Sequence, residues 1–159
     1  MAMAAYLKIS TINGECTESN HKNWIEVVGF NHVVTQQDSG SVSTSGSLTA
    51  GRSDHGYFTI TKQVDIASPK LLFACSSGED VKEVTLELVR AQGTDKVTYM
   101  TYKLSPSVLI TAISLSGSGS GEQLPLETVA FKYAMIEWTY SSTGSAQGQV
   151  AASYDLTKV

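Results

Sequence analysis

The chain has 159 residues, of which 42% are hydrophobic and 16% charged, with a formal net charge of −4. That length suits one domain, residues 1–159, able to bury a core without staples, and the hydrophobic fraction is too high for a disordered chain. No basic stripe, polybasic patch or long apolar run is present, which argues against nucleic acid as a partner and against direct membrane insertion.

Residues 1–6 are apolar but brief and lack a basic n-region, so no secretory signal is expected. Alternation over 6–10 predicts a first strand, ended by Asn13-Gly14, and 15–23 reads as a polar loop holding Cys16. Residues 24–34 predict a longer strand in which Gly29 marks a bulge or sharp bend. Residues 35–56 are nearly all Ser, Thr, Gly, Asp and Gln, with Val42, Leu48 and Ala50 as apolar points. They predict a long extended loop, and loops of that length are usually functional or disordered.

A strand is expected over 57–64. Next comes the clearest local signal, a helix over about 68–77. Ser68 reads as its N-cap, Pro69 fits the first helical position and Gly78 supplies the left-handed stop. Leu71, Leu72 and Cys75 fall on one side and should face the sheet. Phe73 points the opposite way and needs a second cover, a loop or another subunit.

Residues 84–90 and 97–104 predict a hairpin around 93–96, followed by a strand over 108–115 after a break at Pro106. Residues 116–121 alternate Ser and Gly as a flexible loop. The strand over 127–140 carries Val129, Phe131, Tyr133 and Met135 on one face and Ile136, Trp138 and Tyr140 on the other, which predicts burial on both faces. A short closing strand is expected over 149–156. The total is about eight strands and one short helix: a mainly β fold built as a two-sheet sandwich or closed barrel.

No catalytic, cofactor or metal site is predicted. Cys16 and His21 are five apart, but no second pair completes a zinc site, and His21, His32 and His55 read as loop or surface histidines. Cys16 and Cys75 read as free thiols. Ser53-Asp54-His55 has the letters of a triad, yet adjacent residues rarely address one another as a triad must, and no G-x-S-x-G elbow exists. Residues 117–121 lack the Lys and the following helix of a phosphate loop. Glu137 has no recognisable carboxylate partner. Trp24, Tyr99, Tyr102, Tyr133, Trp138 and Tyr140 fit core or subunit contacts better than a sugar- or base-stacking platform.

Several stretches together resemble one family. They are Tyr6-Leu-Lys-Ile9, Gly14-Glu15, Trp24-Ile-Glu26, Phe58 with Ile60-Thr-Lys62, and Asp65-x-Ala-Ser-Pro-Lys-Leu71. Later come Glu87-Leu88, Tyr99-Met-Thr101, Pro125 with Glu127, Phe131-x-Tyr133 and Ile136-x-Trp138-x-Tyr140. The set resembles Hcp, the haemolysin-coregulated protein family of the bacterial type VI secretion tube. Cys16, where a small hydroxyl residue is expected, and Pro106 depart from the pattern.

The resemblance implies a two-sheet β-barrel with a helix at its side and no enzyme activity. It implies homohexameric rings stacked into a tube inside a contractile sheath and tipped by a spike, with small effectors carried in the lumen. It also implies a protein made in the bacterial cytoplasm and then expelled from the cell without a signal peptide. Under it, the loop over 35–56 should cross a subunit or ring boundary. Val42, Thr44, Leu48, Arg52, Asp54, Phe73, Trp138 and Tyr140 are then the expected assembly residues. The competing readings are a phage tail-tube protein and a monomeric ligand-binding β-sandwich.

Overall fold

A computed structural model describes residues 3–42, 46, 48–121, 123–142 and 148–158, with backbone alone at 39–42 and 49. In chain order the strands are β1 (Met3–Ile9), β2 (Ile25–Val27), β3 (Gly29–Asn31), β4 (Val34–Val42), β5 (Leu48–His55) and β6 (Phe58–Gln63). The helix α1 (Ser68–Ser77) follows, then β7 (Val84–Gln92), β8 (Asp95–Ser116), β9 (Leu126–Ser141) and β10 (Gln149–Asp155).

Eight strands form one antiparallel sheet in the order β2-β1-β7-β8-β9-β6-β3, with β10 added along β9. β2 and β3 sit at opposite ends of that order yet are one residue apart in the chain. The Val28 amide donates to the Thr61 carbonyl at 2.8 Å, so the segment leaves β1 and joins β6 within a single step. This crossing curls the sheet into a nearly closed barrel. The bend expected at Gly29 is therefore the point where one strand changes neighbours, and closure of this kind removes exposed sheet edges.

Alternating residues fill the barrel. Leu7, Ile25, Phe58, Ile60, Leu86, Leu104, Ile110, Phe131 and Ile136 are all buried in one cluster, with Leu71 and Ala74 of α1 packed on it. A smaller cluster of Tyr6, Cys16 and Val89 lies on the other face of β1, with Trp24 packed against it.

Four expectations need correction. First, the segment over 35–56 is extended but not unpaired: β4 and β5 form their own two-stranded antiparallel sheet, with Val34 opposite His55 and Val42 opposite Leu48. Ser/Thr/Gly composition hid a ladder that needs backbone pairing and no apolar face. Second, Ser68 does not cap α1. Ala67 occupies the cap position without a side-chain bond, and Ser68 is buried. Gly78 does end the helix, at φ 68° and ψ 31°.

Third, Pro106 does not break the chain into two strands. β8 runs through a cis Ser105–Pro106 peptide, with a register shift between Ser105 and Val108. Asp80 fills the gap. Its carboxylate accepts from the Ser107 hydroxyl at 2.7 Å, the Lys82 amide at 2.9 Å and the Val108 amide at 3.1 Å. Fourth, β9 is not buried on both faces. Its core side is Val129, Phe131 and Tyr133, then Ile136 with Trp138 packed beside it. The buried parity changes between Tyr133 and Ile136, opposite the irregular part of β8, so two apolar faces in sequence are one bent face in space.

Candidate assembly surface

The motif Lys62-x-x-Asp65-x-x-Ser68 folds into one buried polar knot. Lys62 has no exposure, and its Nζ lies 2.8 Å from Glu127 Oε2, 2.9 Å from Asp65 Oδ1, 3.2 Å from Ser68 Oγ and 3.0 Å from the Gln63 carbonyl oxygen. Ser68 Oγ donates to Glu127 Oε2 at 2.9 Å and accepts from the Asp65 amide at 3.0 Å. Every group has a partner, which is the condition for a buried charge to be tolerated. The knot ties β6, β9 and the start of α1 together and holds the helix at a fixed angle on the barrel.

Gly14-Glu15 acts at the same junction. A Cβ on residue 14 would lie 2.4 Å from the Trp24 carbonyl oxygen, so only Gly fits. Glu15 then accepts a hydrogen bond from the Ile66 amide at 3.3 Å, next to the helix start.

The helix so placed buries Ser68, Leu71 and Ala74. Cys75 packs partly against the core, as expected, but Leu72 does not: it is exposed, beside Phe73, which is 68% exposed. Ile66, immediately before the helix, is also exposed. The outward side of α1 thus exposes Leu72 and Phe73, with Ile66 exposed just before it.

The β4–β5 hairpin is the second unusual surface. Its two strands contact chiefly each other, and most of its described side chains are exposed. A lone two-stranded hairpin is marginal in water, and this one stands apart from the main sheet as an arm. Leu48 is 77% exposed on it, and Arg52 and Asp54 are exposed on the same strand. Val42 faces Leu48 across the ladder by its backbone, while Thr44 lies outside the described residues. Phe73 is on α1, which packs against β8. Trp138 is half-buried and packs on the core, and Tyr140 is exposed further along β9.

A cavity of about 590 Å³ opens at the hairpin root. Arg52, Asp54, His55, Lys132, Tyr133 and Tyr154 are among its lining residues. The Ser53-Asp54-His55 letters make no triad there. His55 stacks on Tyr154 at 5.0 Å, Ser53 Oγ donates to the Tyr154 hydroxyl at 3.4 Å, and His55 Nδ1 is buried with no hydrogen-bond partner among the described residues.

Two histidines expected on loops or the surface have structural partners instead. His21 is buried, stacked on Tyr6 at 4.3 Å, with Nε2 2.8 Å from Glu87 and Nδ1 against Glu18, whose carboxyl is held below its usual range chiefly by that bond. His32 Nε2 meets the Tyr133 hydroxyl, which donates to the Gly56 carbonyl at 3.1 Å. Burial pushes the Tyr133 phenol up to about 12. Glu18, three residues before His21, was a local signal for the first. Nothing local links His32 to Tyr133, 101 positions away.

The model of the family described as "Type VI secretion system effector, Hcp" matches residues 6–140. This chain belongs to the Hcp family. It is 31% identical over 140 residues to "Protein hcp1" of Pseudomonas aeruginosa, covering 88% of this chain and 84% of the relative. It is 32% identical over 140 residues to the "Major exported protein" of the same organism, covering 84% and 78%. A solved structure described as that of a type six secretion system protein superposes with a TM-score of 0.87 at 30% identity, covering 98% of this chain and 97% of the other. The Hcp family is one of secreted structural proteins and not of enzymes. Among the described residues, no helix is long and apolar enough to cross a membrane.

Proposed function

We propose that this chain, as one Hcp domain over 1–159, is a structural subunit of the type VI secretion inner tube. It forms homohexameric rings that stack inside a contractile sheath behind a spike. The tube is made in the bacterial cytoplasm, is expelled from the cell, and carries small effectors in its lumen. The subunit itself performs no catalysis and takes no cofactor.

The observation that carries the reading is the family match over 6–140 on a barrel bearing two unlike surfaces, the exposed arm and the apolar side of α1. A closed ring requires a head-to-tail contact between two different patches of one subunit, and we assign that contact to this pair. Val42, Leu48, Arg52 and Asp54 belong to the arm, Phe73 to the helix patch, and Trp138 and Tyr140 to the strand beside β10, while Thr44, proposed with them, lies outside the described residues.

Light scattering on the size-fractionated protein tests the assembly. A mass about six times the protomer is expected, and a monomer at high concentration refutes the ring. Phe73→Asp and deletion of 43–52 should each lower the assembled fraction while the circular dichroism spectrum stays β-rich. An unchanged oligomer in both variants removes these surfaces from the interface.

A further inference from the structure

The root of the arm is held by an unusual polar chain. The Tyr133 hydroxyl has one proton and gives it to the Gly56 carbonyl, so the contact from His32 is made by Nε2–H. That assigns the tautomer from the hydrogen-bond network. The Gly56 amide donates in turn to the Val33 carbonyl at 2.8 Å, closing the base of the hairpin. Through Nε2–H, His32 therefore links β9 to both ends of the arm by one phenol, and a proton taken up at Nδ1 would act through burial and like charge rather than by removing that bond.

The surroundings suit a neutral ring. His32 lies against Phe58 of β6 at 5.1 Å, Tyr133 of β9 at 5.8 Å and His55 of β5 at 6.5 Å. His55 is itself enclosed by Tyr154 of β10 at 5.0 Å and Trp138 of β9 at 6.4 Å. Its Nδ1 is buried with no hydrogen-bond partner among the described residues. The charged residues lining the adjoining cavity are Arg52 and Lys132, with Asp54 as the one carboxylate among the lining residues. A second positive charge here is opposed by burial and by like charge.

We propose that the root of the β4–β5 hairpin is an acid-sensitive hinge: uptake of a proton at His32, beside His55, loosens the arm from the barrel and with it the arm's contacts to a neighbouring copy. The consequence for assembly rests on the ring reading above, whereas loosening of the arm within one subunit does not. Burial first, and the nearby His55 second, lower the proton affinity of His32 below that of a free histidine. An opened root therefore binds the proton more tightly than a closed one. The closed root is favoured above the ordinary histidine range, about pH 6.5, and loses ground as pH falls through it.

Hydrogen exchange read by mass spectrometry on the full chain tests this at pH 7.5 and 5.0, with intrinsic rates corrected. Exchange in peptides from β4 and β5 should quicken on the order of tenfold at the lower pH while peptides from β7 and β8 do not change. The double variant His32→Gln/His55→Gln should abolish the pH response, since an amide can keep a donor near Tyr133 but cannot titrate. If circular dichroism shows that it does not fold, His55→Gln, which gives up no hydrogen bond at Nδ1, should still reduce the response. Exchange independent of pH, or a full response in the folded variant, overturns the hinge. Light scattering in the same buffers should show assembly falling with the arm's protection. A chain monomeric at both pH values refutes the ring while the exchange comparison still decides the hinge.

Discussion

Removing one side of the buried Lys62 knot should cost more than removing both. Lys62 is fully buried and Glu127 is 3% exposed, 2.8 Å apart. Lys62→Met leaves the Glu127 carboxylate in the core with the Ser68 hydroxyl as its recorded donor, and an uncompensated buried charge costs about 3–5 kcal/mol. Glu127→Leu strands the ammonium less completely, because Asp65 remains at 2.9 Å and the Gln63 carbonyl at 3.0 Å, so about 2–3 kcal/mol is expected. The double variant Lys62→Met/Glu127→Leu leaves no unpaired partner between these two positions and fills the same space with apolar atoms. It should recover about 1–4 kcal/mol of the summed single losses, a coupling that a double-mutant cycle isolates. For a chain of this size the Lys62→Met loss corresponds to a melting point lowered by roughly 6–20 °C. Urea unfolding followed by tryptophan fluorescence, at one fixed protomer concentration because assembly stabilises the folded state, provides the four values. A Lys62→Met variant within about 1 kcal/mol of the parent, or strictly additive losses, would refute the account of the knot as a mutually dependent unit.

Gly14→Ala should destabilise by about 2–4 kcal/mol, because the added Cβ meets three backbone atoms of Trp24 and Ile25 within 2.8 Å and backbone cannot swing aside. Gly119→Ala, with nothing among the described residues within 4 Å, is the matched control and should change stability by less than about 0.5 kcal/mol. The Asp80 carboxyl is held well below the usual carboxylate range by the Ser107 hydroxyl and then by the Lys82 and Val108 amides. A depressed acid contributes stability that is present above its unfolded value and is lost as pH falls towards its folded one. Thermal melts should accordingly show Asp80→Asn less stable than the parent at neutral pH and the difference shrinking in acid. A constant difference across pH 2–7 would contradict the assignment.

How far the chain's own order determines the fold is clearest at α1 and at the arm. The helix over 68–77 was legible because Pro69 and Gly78 act locally, through a missing N–H and a left-handed φ, and neither needs a distant partner. The role of Ser68 was not legible, because its competing acceptor, Glu127, arrives from 59 positions away. The same limit applies to β9. Alternation showed two apolar faces, but which residues turn inward at each point depends on where β8 slips past it at Ser105–Val108. The β4–β5 hairpin gave no hydrophobic alternation, since its strands pair chiefly with each other and its recorded ring contacts to the barrel come from His55 at its root.

By itself, then, the sequence determined the β class, the single helix with its stop, and the motif pieces that mark the family, since each of these rests on local conformational preference or residue identity. Only the tertiary structure decided that Lys62, Asp65, Ser68 and Glu127 are one knot, that Gly29 is where the barrel closes, and that His32, Tyr133 and Gly56 fasten the arm. Each of those depends on side chains or backbone groups brought together across the chain by strand register, and register is a property of the closed sheet rather than of any segment within it.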